Sequence, residues 1–595
     1  MILNIKHHLF TSSLNSKWVY YGTNYEKLQN FSKKFKNNFR ISLTNENHLN
    51  FTKEKENYKN WLENQRLFYK DSLNWWMNNL ATMSDPASFF LLKISQIRSI
   101  DDYLEKNKKL ERFSIIAENF HMVKFLSENL KKKYKLKTPK FLVFLIFLEK
   151  IFLILKGFKN YLKIIYFFII HYFFSLVTFQ RKYSPKGKVY LFHDLINNHK
   201  FKDSCVQSRY FGKFPDWLKK GGKKVITLPW FYQNLSNKKK IYQSLREIDS
   251  FVPEDWLNIF NYIESLFLGI KSSFTINEKI KYPNFDVSNI IKYIKLSGLQ
   301  NKSAIFFRYT MALKKWSKNI DTLIFIDHYQ NQLYEHAIRH QIKSLQISNA
   351  SIGYFHSLHS KNFLPYITDK KDWNNKVKPD QVICPNLMCK DYLAYEGVPT
   401  EKIKVVSDLQ RESLFEKIKN KKQSNNNLLI ILSLFPDSNF ELLSKFFKIN
   451  DYLQKDLGLT IKIRPHPYQN IDSLKTNLNW KSFPDNWKIS KDDLYKDLNE
   501  SYCVFTLHSS VVTDAIYFGC LVFNIKTELN VAENFLDFLE TKFPLLKTIE
   551  ENRIKKILNG VFVSEKNFYK NEFDSIKTFF EKNKTKISYE NIIQK

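Results

Sequence analysis

Hydrophobic positions along the chain fall into short runs separated by stretches of helical spacing. Trp18-Val19-Tyr20-Tyr21, Ser114-Ile115-Ile116-Ala117, Lys188 to Phe192 and Lys223 to Leu228 read as strands, with helical patterns between them. After a mostly helical stretch from about Lys238 to Lys318, three more strands follow in quick order: Thr322 to Ile326, Ser351 to Phe355 and Gln381 to Cys384. A charged, then polar segment from Glu412 to Asn427 reads as a domain boundary. Beyond it come Leu428 to Leu432, Leu459 to Ile463, Tyr502 to Leu507 and Leu521 to Ile525, then a helical, lysine-rich tail from about Glu528. Continuously apolar strands alternating with helices imply parallel sheets covered on both faces, hence an α/β protein with two Rossmann-like domains facing a cleft. Residues 1–135 and 185–415 are expected to build the first domain and 425–595 the second with its tail.

Residues 136–184 interrupt the first domain. Phe141 to Leu155 is apolar apart from Glu149 and Lys150, and Ile164 to Phe179 is apolar apart from His171 and Ser175. Each run is shorter than the roughly 18–20 residues a spanning helix needs. Lys131-Lys132-Lys133 precede the insert and Arg181-Lys182 follow it, so both ends favour an anionic cytoplasmic face. The pattern predicts a pair of in-plane or re-entrant helices that tether the chain to a membrane surface. Buried core helices and a spanning hairpin are the alternatives.

Composition changes this picture little. The 595 residues exceed what one core accommodates. The formal net charge of +35 first suggests nucleic acid, but the lysines are spread along the whole chain and accompany an excess of Asn, Ile, Phe and Tyr, so no nucleic-acid partner is expected. Five cysteines without a Cys-x-x-Cys pair suit a reducing compartment and indicate neither a disulfide framework nor a metal site. The N-terminus lacks the features of a signal peptide, so a cytoplasmic protein at the periphery of the inner membrane is expected.

Candidate chemistry gathers at strand exits, where open α/β sheets bind ligands. Lys462-Ile463-Arg464-Pro465-His466-Pro467 runs from a strand into a loop stiffened by two prolines, and Arg464 with His466 can contact a phosphate. The alternative pairs Arg464 with a surface carboxylate and makes His466 a loop cap. His508-Ser509-Ser510 joins a strand to a helix, an arrangement suited to an anion, and Asp514 one turn further on can reach a ribose hydroxyl pair. Asp514 as an ordinary early-turn acid and Ser510 as a plain N-cap are the bland readings. Asp327, Glu335 and His356, at strand exits of the first domain, are candidate bases for an acceptor hydroxyl, with helix packing for Glu335 and a structural histidine as alternatives. Phosphate loops, dinucleotide fingerprints, zinc-protease and nucleophile-elbow motifs are absent, as is an Asp-x-Asp turn, which favours a metal-independent reaction without a cofactor.

These motifs resemble the GT-B glycosyltransferases of bacterial surface polysaccharide (O-antigen or capsule) biosynthesis, in the branch with His-Pro and Ser-Ser donor motifs. His466-Pro467 and Ser509-Ser510 match that pair. Gln330-Asn331-Gln332-Leu333-Tyr334-Glu335 is similar to a Glu-Asn-Gln-x-Trp-Glu stretch, Gly353-Tyr354-Phe355-His356-Ser357 to Gly-Tyr-Gln-His-Ser, and Tyr210-Phe211-Gly212-Lys213-Phe214-Pro215 to Phe-Gly-x-Leu-Pro. The likeness covers roughly residues 185 to 530. It implies a nucleotide-sugar donor in the C-terminal domain, held by Arg464, His466, Pro467, His508, Ser509, Ser510 and Asp514, and a lipid-linked or glycan acceptor in the N-terminal one. Gln330 stands where the family has an acid, Asp514 where it has Glu, and the acidic motif of sialyltransferases has no counterpart. A CDP-polyol phosphotransferase of the same frame and a non-catalytic scaffold are the alternative functions.

Overall fold

The computed structural model describes residues 2–7, 16–35, 39–83, 89–179, 185–196, 201–202, 205–206, 208, 210–231, 238–418, 427–467, 483–531, 534–585 and 588–593. The basic flank Arg181-Lys182 and the polar run 423–426 lie outside these residues.

The described strands form three parallel sheets and one short hairpin. In the N-terminal unit, β1 (Ile2–His7), β2 (Lys17–Tyr21), β3 (Arg112–Ala117) and β4 (Lys135–Lys137) stand in the order β2-β3-β1-β4. Helices α1 (Tyr25–Lys34), α2 (Thr44–Phe68) and α3 (Phe120–Leu130) belong to it. The expectation placed these strands in the same domain as the later ones, yet they keep a sheet of their own. Periodicity reports that a segment is a buried strand; it carries no information on which distant strand it pairs with.

The chain then forms α4, one continuous helix of 36 residues from Leu142 to Val177, where a helix pair was expected. Glu149, Lys150, Lys156 and Lys159 interrupt the apolar run but are good helix formers, so the helix passes through them. Gly157, which would weaken a helix in water, is held against Leu299: a Cβ there would stand 2.7 Å from the Leu299 Cβ. Gly157, Tyr161, Ile164, Phe168, His171 and Ser175 make a buried stripe at alternating spacings of four and three. Among the described residues, no helix is long and apolar enough to cross a membrane.

The central unit contains β5 (Gly187–Ile196), the hairpin β6 (Phe201–Lys202) and β7 (Cys205–Val206), then β8 (Lys224–Phe231), β9 (Ile320–His328), β10 (Ser348–Tyr354), β11 (Gln381–Cys384) and β12 (Ile403–Val405). Its sheet runs β12-β11-β10-β9-β5-β8, so strand order reverses between β5 and β9. Helices α5 (Ile259–Ser273), α6 (Ser303–Trp316) and α7 (Leu333–Lys343) cover it. The C-terminal unit has β13 (Asn427–Ile431), β14 (Thr460–Arg464), β15 (Trp487–Ile489), β16 (Cys503–Thr506) and β17 (Leu521–Asn524) in the order β15-β14-β13-β16-β17, reversing between β13 and β16. Helices α8 (Pro436–Phe447) and α9 (Val511–Tyr517) follow β13 and β16. β16 and β17 are buried at every residue, as strands covered on both faces must be. The last described residues cross back: Tyr589 packs on Phe214 and Trp217 at 5.7 and 5.6 Å and donates to Glu412 at 2.7 Å. The tail therefore touches the central unit as well as the C-terminal one.

A buried ion pair joins α6 to the segment before α5. Arg308 and Glu254 are fully buried and bonded to each other. Glu254→Ala is expected to leave the guanidinium unpaired at a cost of about 3–5 kcal/mol, measured as a lowered thermal transition.

Candidate functional site

The carboxyl ends of the central and C-terminal sheets meet at one seam. In the C-terminal sheet Ile431 lies between Arg464 on one side and Thr506 on the other, so the loops after β13, β14 and β16 leave at the same level. The gap between β13 and β16 is the topological switch point, where helices on opposite faces leave a crevice. His508-Ser509-Ser510 is the loop on one side of it. His508 adopts a left-handed backbone, φ 47°, uncommon for a residue with a side chain and confined to tight turns such as this strand-to-helix connection. The Ser509 hydroxyl accepts from the Val511 N–H at 3.3 Å, while the Ser510 hydroxyl caps no backbone group of α9. On the other side, Asn439 ties down the β13 exit by accepting from the Ser433 N–H at 2.8 Å and donating to its carbonyl at 2.8 Å.

Arg464 faces away from this crevice. It donates to Asp497 at 2.6 Å and to the Asp492 carbonyl at 2.9 Å, and Lys462 on the same strand shares Asp497 at 2.8 Å. Asp497 is fully buried, so Arg464 pairs with an interior carboxylate rather than the surface one of the alternative reading. His466 is half-buried and Pro467 exposed at the end of that loop.

The central wall is built by the exits of β9 and β10, which lie side by side with Tyr354 in register with His328. His356 follows β10, its ring 5.3 Å from Tyr210, which also touches His328 at 4.0 Å. His359 lies three residues on. Its Nε2 is 3.2 Å from the Tyr366 hydroxyl, and its ring packs on Phe363 and on Phe535 of the C-terminal unit at 4.7 and 4.5 Å. Burial holds this imidazole well below its usual pKa, so it is neutral. His508 reaches the same rings, 5.6 Å from Phe363 and 5.1 Å from Phe535. Histidines of both walls thus share one aromatic cluster across the seam.

Asp327 and Glu335 lie elsewhere. Both are fully buried around Arg339, which donates to Asp327 at 2.7 Å and to the His328 carbonyl at 2.6 Å and stands 3.2 Å from Glu335. Glu335 accepts the backbone N–H groups of Gln330 and Asn331 at 3.0 Å. Burial pushes both carboxyls up against the pull of Arg339. His336 and Asn331 extend the knot: His336 Nδ1 is 2.7 Å from the Trp76 carbonyl, its Nε2 2.9 Å from Asn331 Oδ1, and Asn331 donates to the Thr82 carbonyl at 3.1 Å. The Gln-Asn-Gln-Leu-Tyr-Glu-His stretch therefore clamps the N-terminal unit to the central sheet. Asp327 and Glu335, expected as candidate bases, are thus both engaged by Arg339, and Glu335 also by the backbone of its own loop.

Asp514 is likewise engaged. It pairs with Arg411, a buried residue of the central unit that also binds Asp408 at 3.1 Å and the His356 carbonyl at 3.2 Å. Arg411 escaped the sequence reading because Asp408-Leu-Gln-Arg411-Glu looks like an ordinary charged surface turn. His359 had a faint signal in its three-residue spacing from His356, and Phe363 and Phe535 had none. Gly212, in the Phe-Gly-x-Phe-Pro stretch, has φ 52° and lies against the Leu409 carbonyl where a Cβ would clash, which seats that loop beside Arg411.

No protein-family model matches the sequence, and no curated protein does. Similar solved structures include Staphylococcus aureus MnaA with UDP, at 11% identity and a TM-score of 0.38, covering 68% of this chain and 99% of that one. The UDP-GlcNAc 2-epimerase of Neisseria meningitidis bound to UDP-GlcNAc has 12% identity and a TM-score of 0.36, over 67% and 100% of the two chains. The wall teichoic acid polymerase TagF has 11% identity and a TM-score of 0.33, over 74% and 94%. The fold described above rests on the sheet topology itself.

Two buried carboxyls at the seam make its stability pH-dependent by expectation. Asp537 of the C-terminal unit accepts from the Ser360 hydroxyl at 2.6 Å and the Lys361 N–H at 2.8 Å, and burial raises its carboxyl to about 6. Burial raises neighbouring Glu396 to about 7. The folded state holds these protons more tightly than the unfolded chain, whose carboxyls titrate near pH 4, so their contribution is complete below that and lost as pH rises through 6 to 7. The melting temperature is expected to fall between pH 5.5 and 8 by an amount that Asp537→Asn with Glu396→Gln reduces.

Proposed function

We propose that the chain is a metal-independent glycosyltransferase of GT-B type, which moves a sugar from a nucleotide donor to a growing surface glycan at the cytoplasmic membrane face. The observation that carries this reading is the opposition of two doubly wound sheets, carboxyl end to carboxyl end, with His508-Ser509-Ser510 at the switch point of one and His356 on the wall opposite.

In this reading the donor nucleotide lies in the crevice between β13 and β16, with its phosphates against the Ser509 and Ser510 hydroxyls and the left-handed turn at His508. His356 takes the proton of the acceptor hydroxyl as that oxygen attacks the anomeric carbon and the bond from this carbon to the phosphate oxygen breaks. His359, neutral and hydrogen-bonded to Tyr366, packs behind His356 and limits its rotation. Arg411 holds the His356 loop and α9 together, so acceptor base and donor turn share a rigid link. Arg464 serves this site indirectly, by fixing the end of β14 through Asp497.

Thermal-shift titration with UDP, CDP, GDP and CMP and their sugars tests the donor half. A nucleotide at 100 times its Kd is expected to stabilise the protein by about 2.7 kcal/mol, and Ser510→Ala or His508→Ala to abolish most of that shift. No shift with any nucleotide overturns the donor site. For the acceptor half, His356→Gln is expected to lower kcat by roughly 10²–10⁴ with nucleotide affinity unchanged. Glu335→Gln is expected to lower the melting temperature while leaving the kcat of the folded fraction near wild type.

A further inference from the structure

α4 and α5 are amphipathic in the opposite sense to helices on a water-facing surface. On α5 the residues that face inward are small apart from Tyr262: Ser265, Gly269 and Ser272 are buried, and a Cβ on Gly269 would stand 2.7 Å from the Ala304 Cβ of α6. The large residues face outward, with Ile259, Phe260, Ile263 and Phe267 each more than half exposed at positions that share one side of the helix. On α4 the stripe from Gly157 to Ser175 is buried, while Phe144, Phe147, Phe152, Phe158, Ile169 and Phe173 are each more than half exposed. The two helices touch at the margin of these faces, where buried Tyr262 of α5 packs on buried Phe168 and exposed Tyr172 of α4 at 4.9 and 5.9 Å. An exposed apolar patch of this extent marks an interaction surface.

Charge identifies the partner. Lys156, Lys159 and Lys163 are exposed along one edge of the α4 face, and the Lys156 ammonium lies 4.5 Å over the Phe152 ring, its stem already along apolar surface. The one carboxylate of α4, Glu149, is turned inward to His121 at 2.6 Å. The two helices expose one acid, Glu264 of α5, against Lys156, Lys159, Lys163 and Lys271, so the face as a whole is positive. An anionic lipid surface supplies both the apolar layer and the negative rim. Because one whole side of each helix is packed on protein, the pair can only lie in the plane of the interface.

We propose that α4 and α5 together form a monotopic platform that sinks its aromatic faces into the acyl region of an anionic bilayer, with the lysine row at the headgroups. This extends the reading of residues 141–179 as membrane-associating, on which it rests, to a second helix that carries no such signal in sequence. α4 packs on both the N-terminal unit, through Glu149 and His121, and the central unit, through Asn160, which donates to the Leu299 and Asn301 carbonyls at 3.2 and 3.0 Å. The platform therefore fixes the acceptor wall at the lipid surface.

Flotation of the full chain with vesicles of phosphatidylcholine alone, or with 30% phosphatidylglycerol (about that fraction suffices to set a negative surface potential), tests this. Wild type is expected to float with the anionic vesicles, Lys156→Gln/Lys159→Gln/Lys163→Gln to bind them about 100-fold more weakly, and Ile263→Ser/Phe267→Ser to lose binding as Phe158→Ser/Ile169→Ser does. Fluorescence of Phe267→Trp is expected to be quenched by lipids brominated along the acyl chain. Flotation of the α5 double variant like wild type overturns the platform while leaving an α4 tether standing. Failure of wild type to float overturns both, and a dimer in solution that the same variants dissociate assigns the face to a second copy instead. A nucleotide thermal shift retained in the α5 variant shows that its fold is intact and separates this result from any failure of the donor site.

Discussion

The arrangement of the seam depends on one buried cation. Arg411 has lost its water and must be fully paired, and its partners come from three places: Asp408 beside it, the His356 carbonyl on the central wall and Asp514 on α9. Removing any of them leaves a desolvated charge, which is far costlier than the pair is stabilising. The guanidinium is planar and its donors are fixed in direction, so meeting all three partners also fixes their relative positions. The carboxyl ends of two separate sheets are thereby held in one geometry, and the aromatic cluster of His359, Phe363, His508 and Phe535 bridges the seam between them.

Arg339 has a comparable role deeper in the central unit. It gathers Asp327, Glu335 and the His328 carbonyl, and through Asn331 and His336 the knot reaches the carbonyls of Trp76 and Thr82. A stretch of polar residues at a strand exit looks like an active site in sequence, because catalysis and loop-clamping draw on the same side chains. What separates them is whether the carboxylate meets substrate or its own backbone. Glu335 accepts from Gln330 and Asn331, a distinction that spacing along the chain cannot express.

Much of the architecture was legible for a physical reason. Parallel strands covered on both faces must be continuously apolar, so Leu428 to Leu432, Tyr502 to Leu507 and Leu521 to Ile525 announced β13, β16 and β17 almost residue for residue. The His508-Ser509-Ser510 turn could be placed at a strand exit for the same reason, although its position at the switch point follows only from strand order. The separate N-terminal sheet was not legible, since pairing between strands a hundred residues apart leaves no local trace. Arg464 could be read as a phosphate ligand or an ion-pair partner until Asp497, on an element 33 positions away, came into contact with it.

Helix α5 shows the limit most clearly. Ile-Phe-Asn-Tyr-Ile-Glu-Ser-Leu-Phe-Leu-Gly-Ile has the period of any amphipathic helix, and the natural inference buries its large residues. Depth of packing reverses that inference. Gly269 and its serine neighbours let α5 approach α6 to backbone contact, and once the helices are that close the bulky side chains have no room between them. They are driven outward by sterics, and an outward apolar face is stable only against another apolar phase. In the platform proposed above, the positive charge that first suggested nucleic acid has a simpler consequence: the α4 lysines beside these faces bring them to anionic lipid, where the hydrophobic and electrostatic terms act in one direction.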